Sequence, residues 1–188
     1  WNGLMISSFA RAFAVFGEER YRQAAERAAG FLVNHLMKDG KLYHASLGGR
    51  ARFNGYLDDY AFLICGLIDL YESTFELGWL DRARTLTEVM LDQFWDPENG
   101  GFFYTGRDHE LLLVRSKNPY DNALPSGNSA ATHALIRLGI LLGRPDLREK
   151  AGKVLGAFGE AMSQAPAGFP HMLCALGLFL SQPREIAI

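Results

Sequence analysis

Two adjacent aspartates, Asp58 and Asp59, stand among tyrosines in Gly55-Tyr56-Leu57-Asp58-Asp59-Tyr60 and open a stretch that stays apolar almost to Tyr71. Paired carboxylates are what acid/base chemistry on sugars requires, one to give a proton and one to accept it or to steady the charge that develops. Either aspartate alone also makes a helix N-cap, because its oxygens accept from the free N–H groups of the first turn and the helix dipole favours its charge. Consecutive helical residues point about 100° apart, so the two cannot both cap one helix start and both face one cavity. The spacing predicts that one caps, with its pKa lowered by the amide donors, while the other projects into a cavity beside Tyr60 or Trp1 with Asn128 nearby.

Two further polar openings precede apolar helices, Trp1-Asn2-Gly3 and Pro125-Ser126-Gly127-Asn128. The candidate site is therefore Asp58 and Asp59 as acid/base groups, with Trp1, Asn2, Tyr56, Tyr60, Ser126, Asn128 and His171 as ligand-binding residues. Asp121 is a further acid and His44 a further base, and Tyr43, Trp95, Phe102, Tyr104 and Tyr120 could offer faces on which sugar rings stack. Each has a plainer reading: aromatics at hairpins and helix ends mostly pack, Asn128 can cap and Ser126-Gly127 can turn without any ligand. His171, after Pro170 at a helix start, is as readily structural as functional. His133 reads as a hydrogen-bonded core histidine, and His35 and His109 as surface or loop residues.

Several chemistries are set aside. The chain has no Gly-x-Gly-x-x-Gly, P-loop, His-Glu-x-x-His or Gly-x-Ser-x-Gly. No Cys/His spacing suits zinc, so no metal and no cofactor are expected. Cys65 and Cys174 read as buried, reduced thiols. A net charge of -2 without a basic stripe argues against nucleic acid. There is no membrane span and no secretory signal, which predicts a cytoplasmic protein. The 188 residues suffice for one domain with a real core. A beginning at Trp1 already helical in pattern predicts a piece of a longer polypeptide.

The elements that must position these residues follow from hydrophobic period. Residues 2–16, 58–76, 127–142 and 171–181 are apolar nearly all round, as buried helices are. Residues 18–37, 79–95 and 146–164 carry one apolar stripe against charged faces, as surface helices do. Tight breaks at Gly17, Leu77-Gly78 and Gly143–Pro145 join each buried helix to its surface partner. Long loops, 38–57, 96–125 and 165–170, lead to the next pair; the first holds a short strand at Lys41–His44, and in the second Asp96–Gly101 turns into a short aromatic strand. The repeat, about 60 to 70 residues long, predicts a partial double-layered ring of α-hairpins, an (α/α) toroid with small β-hairpins on one face. The long loops must share that face, so the starts of the buried helices, and with them the candidate residues, converge there.

The blocks Trp1-Asn2-Gly3-Leu4-Met5-Ile6, Leu57-Asp58-Asp59-Tyr60-Ala61-Phe62, Gly100-Gly101-Phe102-Phe103-Tyr104 and Pro125-Ser126-Gly127-Asn128-Ser129 resemble, in order, those of the YyaL-type thioredoxin-domain-containing proteins, related to the spermatogenesis-associated thioredoxin-like protein of animals. The resemblance implies the C-terminal part of a six-hairpin (α/α) toroid, similar to N-acylglucosamine 2-epimerases, behind an N-terminal thioredoxin-like domain. The partners it implies are the missing hairpins, that domain and a sugar-like small molecule. On fold analogy the function is sugar binding, epimerisation or hydrolysis through acid/base carboxylates; the alternative is a non-catalytic scaffold for the thioredoxin-like domain. The chain shows no evident pair of histidines on inner helices, the feature expected of a working epimerase. Uncovered inner helices predict that the isolated chain self-associates.

Overall fold

The computed structural model describes residues 1–110 and 113–182. Its elements are α1 (Asn2–Phe16), α2 (Glu19–His35), β1 (Met37–Lys38), β2 (Lys41–Leu47), β3 (Arg50–Asn54), α3 (Leu57–Thr74), α4 (Leu77–Phe94), α5 (Gly127–Leu141), α6 (Pro145–Gln164), a 3-10 turn at Pro166–Gly168 and α7 (Pro170–Leu180). Helices α1, α3, α5 and α7 pack side by side as an inner layer, and α2, α4 and α6 cover them from outside, each paired with the helix before it. This is a section of an (α/α)6 toroid.

The two layers follow from polarity. No residue of α3 from Leu57 to Tyr71 is exposed, and its Leu63, Ile64, Leu67 and Ile68 are core. In α2 only Ala25, Ala29, Leu32 and Val33 are buried, and ion pairs such as Arg22–Glu26 lie outside. Glycines let the inner helices touch backbone to backbone: a Cβ on Gly66 of α3 would stand 2.6 Å from the Gly3 carbonyl oxygen of α1. An ion cluster centred on the buried Asp69 then ties three inner helices together. Asp69 of α3 accepts from Ser7 and Arg11 of α1 and from Arg137 of α5, whose Nη2 is 2.6 Å away. Burial alone would raise the Asp69 pKa, but the Arg137 charge and the hydrogen bonds from Arg11 and Ser7 outweigh it and hold the carboxyl below its usual range.

The connections differ in part from the sequence reading. Gly17 does end α1, in a left-handed conformation with φ 70°. Between α3 and α4, however, the break is at Phe75, which takes φ 59° and returns its N–H to Tyr71, while Leu77 and Gly78 already belong to α4. The first long loop holds a three-stranded antiparallel sheet rather than one strand. Gly48 and Gly49 both adopt positive φ, as a two-residue turn with the strands' own twist demands, so β2 runs on to Leu47 and β3 returns. The expected aromatic strand of the second loop is reduced to one bridge, Trp95 to Phe102. The Asn128 side chain supplies the reason, since it takes both backbone hydrogen bonds of Phe102 that a strand partner would use. Residues 111–112 of this loop lie outside the described residues.

Helix α1 lies at one edge of the inner layer and leaves Met5, Val15 and Phe16 exposed. Helix α7, at the other edge, buries only Met172 and Ala175. Cys174 is exposed there, contrary to the expectation of two buried thiols, because no further helix covers that side. Among the described residues no helix is long and apolar enough to cross a membrane.

Candidate functional site

The starts of α1, α3, α5 and α7 meet at the long-loop face. The two aspartates diverge there because consecutive helical positions must. Asp59, the third residue of α3, reaches back so that its Oδ2 accepts the Tyr56 N–H at 2.8 Å, and the same oxygen accepts from His44 Nδ1 at 2.8 Å. Asp58 turns the other way, onto the Gly127 N–H at the start of α5. Gly127 must be glycine, since a Cβ would collide with Asp58 Oδ1 and Leu57. Burial first, then the neighbouring Asp59 charge, raises the Asp58 pKa against the opposing Gly127 hydrogen bond. Asp58 borders a mouth cavity of about 310 Å³ with Tyr104, Asn118, Tyr120, Pro125 and Ser126.

Other expected site residues are held for structure. Tyr60 is 3% exposed and its hydroxyl accepts the Leu42 N–H at 2.8 Å. Asn128 is fully buried, with its amide gripping Phe102 and the Asn118 carbonyl. Ser126 caps α5 by accepting the Ser129 N–H at 3.0 Å, while its hydroxyl reaches the Pro119 carbonyl. These three offer little free polar surface to a ligand, because each is consumed in joining a loop to a helix start. Tyr56 stacks on Tyr104 with ring centroids 4.9 Å apart, forming an aromatic wall at the mouth. Trp1 and Asn2 are exposed and border a second cleft with His44 and Asp59, on the opposite side of the α3 start from Asp58.

Two features escaped the sequence. Asp121 bridges two helix starts: Oδ1 accepts the Ser126 N–H at 2.7 Å, and Oδ2 accepts those of His171 at 2.8 Å and Met172 at 3.2 Å. Nothing local marks it, because its partners lie up to 51 residues away. The second is a histidine pair. His133 of α5 and His171 of α7 stand edge to face with ring centroids 5.1 Å apart on the inner wall, which corrects both the core reading of His133 and the expected lack of such a pair. Burial, then the Arg137 and His171 charges, depresses His133 to about 4, and burial likewise lowers His171. Both imidazoles are neutral at pH 7. One turn deeper, a basin of about 350 Å³ draws lining from all four inner helices, including Arg11, Glu72, His133, Arg137 and Leu178. His109 is also no surface residue: it packs against Tyr56 and accepts the Gly106 N–H.

No protein-family model matches the chain. It is 38% identical over its whole length to spermatogenesis-associated protein 20 of Rattus norvegicus, and 31% identical over 94% of its length to an uncharacterized protein of Caenorhabditis elegans. In both cases it spans about a quarter of the relative's length, 25%. Among solved structures it resembles cellobiose 2-epimerase from Bacillus thermoamylovorans, with a TM-score of 0.68 and 17% identity over 84% of this chain and 42% of that one. A family 76 glycoside hydrolase from a bovine Bacteroides thetaiotaomicron strain gives a TM-score of 0.69 at 15% identity, over 81% of this chain and 33% of that one. A D-mannose isomerase gives 0.64 at 16%, over 87% and 42%. Identities this low speak for the fold alone. The chain is thus a homologue of one part of spermatogenesis-associated protein 20, folded as a section of an (α/α)6 toroid.

Proposed function

We propose that this section contributes the mouth of a carbohydrate-active site, with Asp58 as its proton-carrying carboxyl. The observation that carries the reading is the Asp58 environment: a raised pKa in a cavity of about 310 Å³ walled by Tyr104 and Tyr120. A carboxyl whose pKa is raised by burial holds its proton more strongly than an exposed one, which suits donation to a sugar oxygen, and aromatic faces at its side suit the apolar face of a sugar ring. Asp59 is less suited, since its Oδ2 already serves Tyr56 and His44. The fold neighbours named above act on cellobiose and mannose, which makes these the first ligands to try. The neutral His133–His171 pair adds proton acceptors deeper along the same wall, as a reaction that moves a proton on a sugar carbon needs.

The test is Asp58→Asn in the full polypeptide of which this chain is a part. The amide oxygen can still accept the Gly127 N–H while the acid is lost. The melting temperature should hold or rise, because a group with a raised carboxyl pKa is destabilising when ionised. Titration calorimetry with mannose and cellobiose should show binding lost or turnover abolished. Full ligand binding and turnover in the variant, or no sugar binding by the wild type, would leave only the scaffold reading.

A further inference from the structure

Across the α3 start from the mouth cavity runs a groove that the reading above does not use. The cleft of about 250 Å³ lined by Trp1, Asn2, Tyr43, His44, Asp59 and Phe62 continues into one of about 430 Å³ lined by Asn2, Phe31, His44 and Ser46. The two share Asn2, Leu32, Leu36 and His44, so His44 is the titratable side chain common to both. The groove therefore passes along the outside of the first hairpin, between α2 and β2.

Its chemistry is specific in three ways. First, Asp59 is an acceptor only, so His44 donates from Nδ1, and in the neutral ring Nε2 is left as an acceptor. Asp59 is itself held by the Tyr56 N–H, so the imidazole is oriented rather than free to rotate. Second, exposed aromatic side chains stand toward the two ends, Trp1 at 85% and Phe31 at 49% exposure. Third, Asp59 is the one formally charged side chain along the lining, and it is engaged by donors at a helix start. A groove with aromatic faces toward its ends, hydrogen-bonding groups between and no free charge suits a neutral, hydroxyl-rich, extended molecule.

We propose that this groove is a saccharide-chain subsite, in which His44 Nε2 accepts from a sugar hydroxyl, Asp59 is the positioning residue, and Trp1 and Phe31 stack on sugar rings. The proposal deepens the function above and rests on it: it makes the ligand an oligosaccharide that extends past the mouth, rather than a single sugar. A stacked ring or an oriented hydrogen bond to an added residue corresponds to about tenfold in affinity.

The experiment titrates the full polypeptide with mannose, cellobiose and cellotetraose, using the wild type, His44→Gln, Phe31→Ala and Asp58→Asn. The wild type should bind cellotetraose about tenfold tighter than cellobiose. His44→Gln and Phe31→Ala should erase that gain and leave mannose binding unchanged, whereas Asp58→Asn should weaken all three ligands. In 15N spectra of the histidines, the Nε2 resonance of His44 should shift on adding cellotetraose but not mannose. Affinity independent of chain length, or a length gain that survives both groove variants, overturns the subsite while sparing the mouth. Failure of every sugar to bind overturns the subsite together with the reading on which it rests.

Discussion

His133 and His171 show what burial does to a single group. Burial lowers both pKa values below the 6.5 at which an exposed histidine titrates, that of His133 to about 4. Between about 6.5 and about 4 the unfolded chain therefore binds more protons than the folded one, so stability rises with pH across that window. The stability present at pH 7 should begin to fall as pH drops below about 6.5 and continue falling to about 4, with a loss on the order of 2 kcal/mol. Urea midpoints at pH 7, 6 and 5 measure it. His133→Asn should flatten most of the slope; an unchanged slope would show that other groups set it. Asp58 and Asp59 make the complementary point. Identical side chains one position apart meet different partners: Asp59 takes the Tyr56 N–H and His44, while burial beside the mouth cavity raises the Asp58 pKa.

The helices are joined at their starts by side chains from neighbouring elements more than by their own caps. Asp121, on the loop between α4 and α5, holds α5 through Ser126 and α7 through His171 and Met172. A capping side chain is worth about 0.5–2 kcal/mol at one helix start. Asp121→Ala should therefore cost about 1–4 kcal/mol, and amide exchange should quicken first in α7, the inner helix with fewest buried residues. Asp121→Asn, which keeps one acceptor, should cost less. A loss below about 0.5 kcal/mol for the alanine variant would mean that water or another group caps these helices equally well.

At the scale of the molecule, the inner layer is open at both edges. Met5, Val15 and Phe16 of α1 and Leu180 of α7 lie exposed where a closed ring would set further helices. The fold neighbours carry more than twice the length that this section matches, with 42% of the cellobiose epimerase chain covered. Apolar faces left uncovered promote association. The isolated 188-residue chain should run above its monomer mass in light scattering at micromolar concentration, and Met5→Lys with Val15→Lys should shift it toward the monomer. A monodisperse wild-type monomer would show that these edges are tolerated in water.

The alternation of apolar and amphipathic segments was enough to place all seven α-helices of the described residues and both layers, because burial leaves a period in local composition. Short breaks and long loops were enough to bring the helix starts to one face. What the chain order could not show was which polar side chain meets which. Asp59 reaches its own helix start, but Asp58 meets α5, Asp121 meets two helices at once, and Asn128 replaces a strand at Phe102. The facing of His133 and His171 depends on how α5 and α7 settle against each other, and the β3 strand on a two-glycine turn that reads equally as a loop. Hydrophobic period is a property of neighbours in sequence. Hydrogen bonds and pKa values are properties of neighbours in space, and only the packed helices decide those.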